Sequence, residues 1–292
     1  MFGFNLWARF GVFRDPMTIT QNMTFSIPPK TTIGGMLAAI LGMDYQDYFN
    51  DPDFFNFGYS LILQRPVRKK SFVQNYIEDY TKKSALRLDA MLKVRDQIQV
   101  LALLDNQNNA LKSNESMNEK DLKKIISIEK KIEGTRSKLE KTMDDLKEKS
   151  GARYPKSKPI FRELLIDPSF LIFIHGFKYE NEIVALMKNH ESVYPLYMGN
   201  SEFAASYRFV KCSSWAANSM TQLDSFTGSS DKIAFESGKK YTSVYAATQT
   251  TGNRAYRNFR HVVVCDKKIT LSSPVDGFGV KTEAGEYACE FI

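Results

Sequence analysis

The sequence predicts an α+β fold, with short strands in both halves of the chain and a long helical insertion between them. Three observations carry this. Apolar residues alternate at period two near the start, as Phe2, Phe4 and Leu6 on one side of residues 2–7, the spacing of a half-buried strand. Residues 81–150 contain no proline and no glycine but Gly134, and their apolar residues recur at three- and four-residue intervals, the spacing of amphipathic helices. The remainder is divided into short runs by Gly, Pro, Asn and Asp, which punctuate strands and turns.

The elements follow in order. Gly11 and Pro16 end the first strand region. Pro28 and Pro29 force an extended entry into residues 30–42. There Thr31 or Thr32 is the expected cap, Met36 to Leu41 the apolar body and Gly42 the stop of a buried helix. Residues 57–64 and 71–77 read as strands. The basic link RPVRKK between them is expected at the tip or edge of a hairpin.

In the insertion, Met91, Val94, Ile98 and Leu101 mark one helix seam. Leu122, Ile125, Glu129, Ile132, Arg136, Leu139, Met143 and Leu146 mark another, with two charged residues at seam positions. The polar run DNQNNALKSNES is expected to connect the two as an antiparallel hairpin. The expected organisation is therefore a main domain of residues 1–80 and 151–292, with residues 81–150 inserted.

After a Gly/Pro/Lys link at 151–159, two strand-like runs flank Asp167-Pro168. A helix is expected over 179–190, where Ile183, Leu186 and Met187 share a face. Short strands follow at 205–210, 241–248, 258–265 and 284–291. DGFGVKTEAGE lacks the spacing of a phosphate-cradling loop and reads as a connection between strands. The order strand, helix, strand, strand, and then strand, helix, strand fits a ferredoxin-like core carrying extra β structure.

Composition narrows the function classes. Hydrophobic residues are 43% of the 292 and the formal charge is +7, so the chain can bury a core and favours a polyanionic partner. Cys212, Cys265 and Cys289 are odd in number and far apart, which suggests neither a disulfide framework nor a zinc site. No signal peptide or membrane-spanning run is visible, so a cytoplasmic location is expected.

One stretch is more specific. F-x-F-x-L-W-x-x-F-x-x-F-R-x-P, followed by T-F-x-I-P-P-K-T-T-I-x-G-M-L-A-A-I-L-G, closely resembles the N-terminus of the Cas-five family of CRISPR-associated RAMP proteins. The residues that carry it include Phe4, Trp7, Phe13, Arg14, Pro16, Pro28, Pro29 and Gly35. Supporting matches lie at Arg65-Pro66, at Ile166-Asp167-Pro168, and at YPLYMGNSEF around Pro195, Gly199 and Glu202. Ala8 and Gly11 depart from the family's usual small residues by small-for-small exchange.

The resemblance implies an RRM-like RAMP domain with a protruding β-hairpin thumb, carrying here the inserted helical hairpin. It implies binding of the 5′ handle of a guide RNA. It also implies contact with the backbone and large subunits of a type I surveillance (Cascade) complex, of type I-B style, and an indirect relation to target DNA. No cofactor, metal or membrane is implied. A branch of the family processes RNA, so metal-independent endoribonuclease activity stays as the alternative to a non-catalytic scaffold. An adaptor working through the helical hairpin is a third reading.

The candidate RNA-binding residues are Arg65, Arg68, Lys69 and Lys70, the densest basic cluster outside the insertion, with Phe72 and Tyr76 close enough to interleave. Arg14 and Lys30 flank the first strand and helix, where helix amides could face a phosphate. Arg257 lies in an Arg/aromatic alternation with Arg254, Tyr256, Phe259 and Arg260. Arg153, Lys156, Lys158 and Arg162 could extend the surface. Each of these groups also reads as ordinary solvated charge. His175, His190 and His261 show no ligand or catalytic spacing, and no catalytic residue is assigned.

Overall fold

The computed structural model describes residues 1–18, 21–77, 82–113, 118–150, 157–252 and 255–292. Two compact units result, Met1–Gln74 with Ile160–Ile292, and Asn75–Pro159. In chain order the elements are β1 (Phe2–Trp7), β2 (Phe10–Gly11), α1 (Lys30–Leu41), α2 (Tyr45–Asn50), β3 (Gly58–Leu63), β4 (Lys69–Ile77), α3 (Lys82–Lys112) and α4 (Glu119–Ser150). Then come β5 (Ser157–Ile166), β6 (Ser169–His175), α5 (Glu180–Lys188), β7 (Ser206–Val210), β8 (Cys212–Leu223), β9 (Tyr241–Thr250), β10 (Tyr256–Cys265), β11 (Ile269–Thr282) and β12 (Gly285–Cys289).

The central sheet has the order β3-β6-β1-β7, antiparallel throughout. With α1 after β1 and α5 after β6, this is the ferredoxin-like βαββαβ arrangement. β6, inside the sheet, is buried on both faces, which explains its unbroken apolar run FLIFI. Phe170, Ile172 and Ile174 share a core with Ile33, Leu37 and Ile183 of the helices. Leu171 and Phe173 face the other way, onto Val280 and Cys289 of β11 and β12. The open edge of β3 is closed by main chain: Tyr59 and Ile292 exchange two hydrogen bonds of 3.0 Å, and Phe226 N donates to Leu61 O at 3.2 Å. An unpaired edge is thereby removed.

Several expectations are corrected. β3 and β4 do not form a hairpin. β3 pairs with β6, whereas β4 joins a second sheet of order β2-β5-β4. The basic link is thus a crossover between sheets, because period-two alternation marks a strand without choosing its partner. Neither Thr31 nor Thr32 caps α1. Pro29 occupies the cap position, its rigid φ serving the first turn, and no side chain bonds there. Gly42 does end α1, at φ 74°. Gly277 and Gly279 lie inside β11, not in a loop. A Cβ at Gly277 would stand 2.8 Å from the Cys289 carbonyl oxygen, so glycine permits the approach of β12.

In the second unit, α3 continues through residues 105–112 of the polar stretch expected to be the connector, so this helix is longer than expected. The α3 seam is Ala90, Val94, Gln97, Leu101, Leu104, Asn108 and Leu111. Along α4 it is Ile125, Ile128, Ile132, Thr135, Leu139, Thr142 and Leu146. Glu129 and Arg136 lie outside that seam, where Glu129 bonds Lys112 at 2.7 Å and Arg136 sits 4.0 Å from Asp105. The seam expected from Leu122 thus differs from the observed one by a residue at alternate positions.

Gln97 donates to Thr142 Oγ1 at 3.2 Å, while its own Oε1 is buried without a partner among the described residues. A buried unsatisfied carbonyl costs about 1–3 kcal/mol. Gln97→Leu is therefore expected to stabilise the hairpin by about 1 kcal/mol. Hydrogen exchange of the α3 and α4 amides in the full chain should slow about fivefold. Unchanged or faster exchange would show that the glutamine is satisfied.

Candidate nucleic-acid interface

The interface is built on the blade formed by β4 and β5. The segment after β1 returns along β5: Phe10 and Gly11 pair with Ile166 and Leu165, and Asn22 bridges to Arg162. Thr24 is the pin of this region. Its hydroxyl accepts from Phe13 N at 2.8 Å and donates to Phe25 O at 3.0 Å, and its amide donates to Glu163 Oε2 at 3.2 Å. Lys69 Nζ donates to Thr24 O and lies 3.6 Å from the Glu163 carboxylate. Lys69 is thus committed to holding the strand return.

Arg68 is also engaged. Its guanidinium bonds Asp167 at 2.6 Å, and Asp167 adopts φ 46° at the corner before Pro168. That pair is exposed, so it contributes at most about 1 kcal/mol and yields readily to a phosphate. Arg65 and Lys70 are exposed, and neither has an ion-pair partner among the described residues. Phe72 is half-buried on β4, and Phe161 presents an exposed ring on β5. Two uncommitted cations, one displaceable guanidinium and nearby rings are the components of phosphate contact with base stacking.

The other expected residues fall elsewhere. Arg14 is exposed and bridges by its main chain to Thr24. Lys30 is 8% exposed. Its Nζ donates to Ile292 O at 3.2 Å and lies 5.0 Å from the Phe57 ring centroid, so it faces the interior and not a surface ligand. Burial, and secondarily the charge of Arg260, lowers its pKa to about 8. Arg257 and Arg260 are exposed on β10. Tyr76 lies in β4, but its side chain is outside the described residues, as are those of Arg153, Lys156, Lys158 and Arg254.

The histidines are spread out. His175 sits against Phe278 and Phe291, His190 against Tyr207, and His261 bonds Ser243 at 2.6 Å. Among the described residues no group of three or more His, Cys, Asp or Glu could hold a metal ion. Burial raises the Cys289 thiol to about 12 and Cys212 to about 11, which keeps both protonated and unreactive. No helix among the described residues is long and apolar enough to cross a membrane.

A family model described as CRISPR-associated protein (Cas_Cas5) matches residues 2–231. Among solved structures, a chain of a "CRISPR RNA-guided surveillance complex" is similar over 94% of this chain and 91% of that one, at 11% identity and TM-score 0.46. A chain of a type III-B Cmr-beta complex bound to cognate target RNA is similar over 92% and 86%, at 12% identity and TM-score 0.37. A "CRISPR-associated Protein" crystal structure is similar over 92% and 90%, at 9% identity and TM-score 0.35. No curated protein matches the chain.

Proposed function

Because the chain belongs to the CRISPR-associated Cas5 family, we propose that it is a cytoplasmic, non-catalytic RNA-binding subunit of a type I surveillance complex. In this reading it holds the 5′ handle of the guide RNA and touches the backbone and large subunits, and it meets target DNA only through the assembly. The observation that carries the reading is the pair of exposed cations with no ion-pair partner among the described residues: Arg65 in the link that leads into β4, and Lys70 on β4 two residues from Phe72. Arg68, whose exposed bond to Asp167 can be exchanged for a phosphate, extends the same strip.

The test is a gel shift of the purified chain with a hairpin repeat RNA at several salt concentrations. Single-stranded contacts give a slope of about −0.7 in log K against log salt for each phosphate neutralised. The variant Arg65→Ala/Lys70→Ala is expected to flatten the slope by about 1.4 and to weaken binding at low salt. An unchanged slope would remove the blade from the interface. The RNA is expected to remain intact; a unique metal-independent cleavage product would replace the scaffold role with a processing role.

A further inference from the structure

The first unit contains a second feature that the blade does not use. A hollow of about 180 Å³ lies between the start of α1, the loop at Gly199 and Asn200, and the β9–β10 hairpin. It adjoins a broader hollow of about 470 Å³, and the two share Thr31, Thr32, Gly199 and Tyr256. We propose that this continuous cleft binds unpaired bases of single-stranded RNA by stacking, with the backbone held by Arg14, Arg257 and Arg260. The inference rests on the RNA-binding reading above and gives that RNA a second contact.

The walls suit this occupant. Tyr245, Tyr256 and Phe259 line the smaller hollow, and Tyr45, Tyr194 and Tyr197 the broader one. Tyr245 is 58% exposed and Tyr256 45%, so large π faces are left open to solvent. Tyr245 and Phe259 already stack across the hairpin, with ring centroids 5.3 Å apart and planes at 23°. A base added to the open face of such a pair extends the stack, which every base can do.

The hydrogen-bonding and charged groups fit as well. The Thr31 and Thr32 hydroxyls cap nothing in α1, which leaves them for base edges. Asp15 is the one carboxylate of the two linings, and it is occupied in a local turn, accepting from Met17 N at 2.9 Å. Arg14 lies in the wall, and exposed Arg257 and Arg260 share β10 with Tyr256 and Phe259. Asn258, between Arg257 and Phe259, takes φ 52° and is tied by its side chain to Gln249 at 2.6 Å. A strand interrupted by a left-handed residue costs stability, and such strain concentrates at binding sites. An apolar peptide would leave three arginines uncompensated, whereas RNA pairs them with phosphates.

The experiment uses the full chain and a repeat RNA carrying 2-aminopurine at each unpaired position in turn. Stacking is expected to quench the probe at one or two positions. Tyr245→Leu and Tyr256→Leu, exposed substitutions that keep apolar bulk, should remove the quench and weaken binding about 5- to 150-fold, as loss of a base–aromatic stack does. An abasic residue at the quenched position should cost the same, and should cost nothing further in the variants.

If RNA binds and the Arg65→Ala/Lys70→Ala variant weakens it, while no position is quenched and the tyrosine variants bind normally, the cleft inference fails and the blade reading stands. Crosslinks from Tyr256 to a partner protein in the assembled complex, with no crosslink to RNA, would overturn it in favour of a protein contact. If no RNA is bound at all, both readings fall.

Discussion

Gly199→Ala is expected to cost at least about 3 kcal/mol, a large part of the 5–15 kcal/mol by which a domain is stable. Two independent reasons add. Gly199 has φ 93°, which side-chain-bearing residues rarely adopt. A Cβ there would lie 1.7 Å from Val12 O and 2.7 Å from its carbonyl carbon. That overlap is with backbone, so no rotamer change relieves it. The main chains meet here because Val12 N donates to Met198 O at 2.9 Å and Gly11 lets Met198 pack against it. Chemical denaturation of the variant checks the prediction, and a loss below 1 kcal/mol would mean the two segments are not in contact. The same glycine lines both hollows, so surviving variant protein should also bind RNA less tightly.

Lys30→Met is expected to stabilise the protein at pH 7 by about 2 kcal/mol. The Lys30 pKa is about 8 against an ordinary 10.5, a gap that corresponds to about 3 kcal/mol of penalty on the charged form. Loss of the bond to Ile292 O and of the contact with the Phe57 ring offsets part of that gain. The sign with pH follows from proton counting. Between pH 8 and 10.5 the unfolded chain holds the lysine proton and the folded chain does not, so the contribution of Lys30 to stability rises with pH across that window. Below pH 8 both states are protonated and the contribution is flat. Denaturation midpoints for wild type and Lys30→Met at pH 7, 9 and 10.5 should therefore converge as pH rises. A pH-independent gap, or a destabilised variant, would show that Lys30 is solvated. RNA affinity should stay within about twofold, since the ammonium faces the interior.

Legibility from sequence followed the physics of each element. β1 and α5 were readable because apolar residues repeat along them at the element's own period, Phe2, Phe4 and Leu6 in β1 and Ile183 and Met187 in α5, and β6 because its run is apolar throughout. Gly42 was readable because a helix end in the left-handed conformation has few alternatives to glycine. β8 was not readable. Its residues CSSWAANSMTQL are largely exposed, and the strand exists because β11 pairs along it. α2 is six residues with none buried, so it leaves no periodic signal. The helical seam was displaced by one residue at alternate positions because polar Thr135 and Thr142 occupy core sites while exposed Leu122 does not.

The basic cluster 65–70 shows the same division within the candidate interface. Its charge is written in the sequence, but its four cations are alike there. Three-dimensional placement separates Lys69, spent on Thr24 and Glu163, and Arg68, paired with Asp167, from Arg65 and Lys70. The aromatic cleft was half visible as an Arg/aromatic alternation around Tyr256 and Phe259. Its other wall comes from residues some 200 positions earlier in the chain.

The α+β class with a ferredoxin-like core, the helical insertion and the family are legible along the chain, because local periodicity, turn chemistry and a long contiguous motif need no partner to be read. The tertiary structure alone decided which strands pair, which lysine is buried and which rings share a cleft. Those outcomes depend on contacts between residues far apart in sequence, where desolvation, register and steric fit are set by the partner.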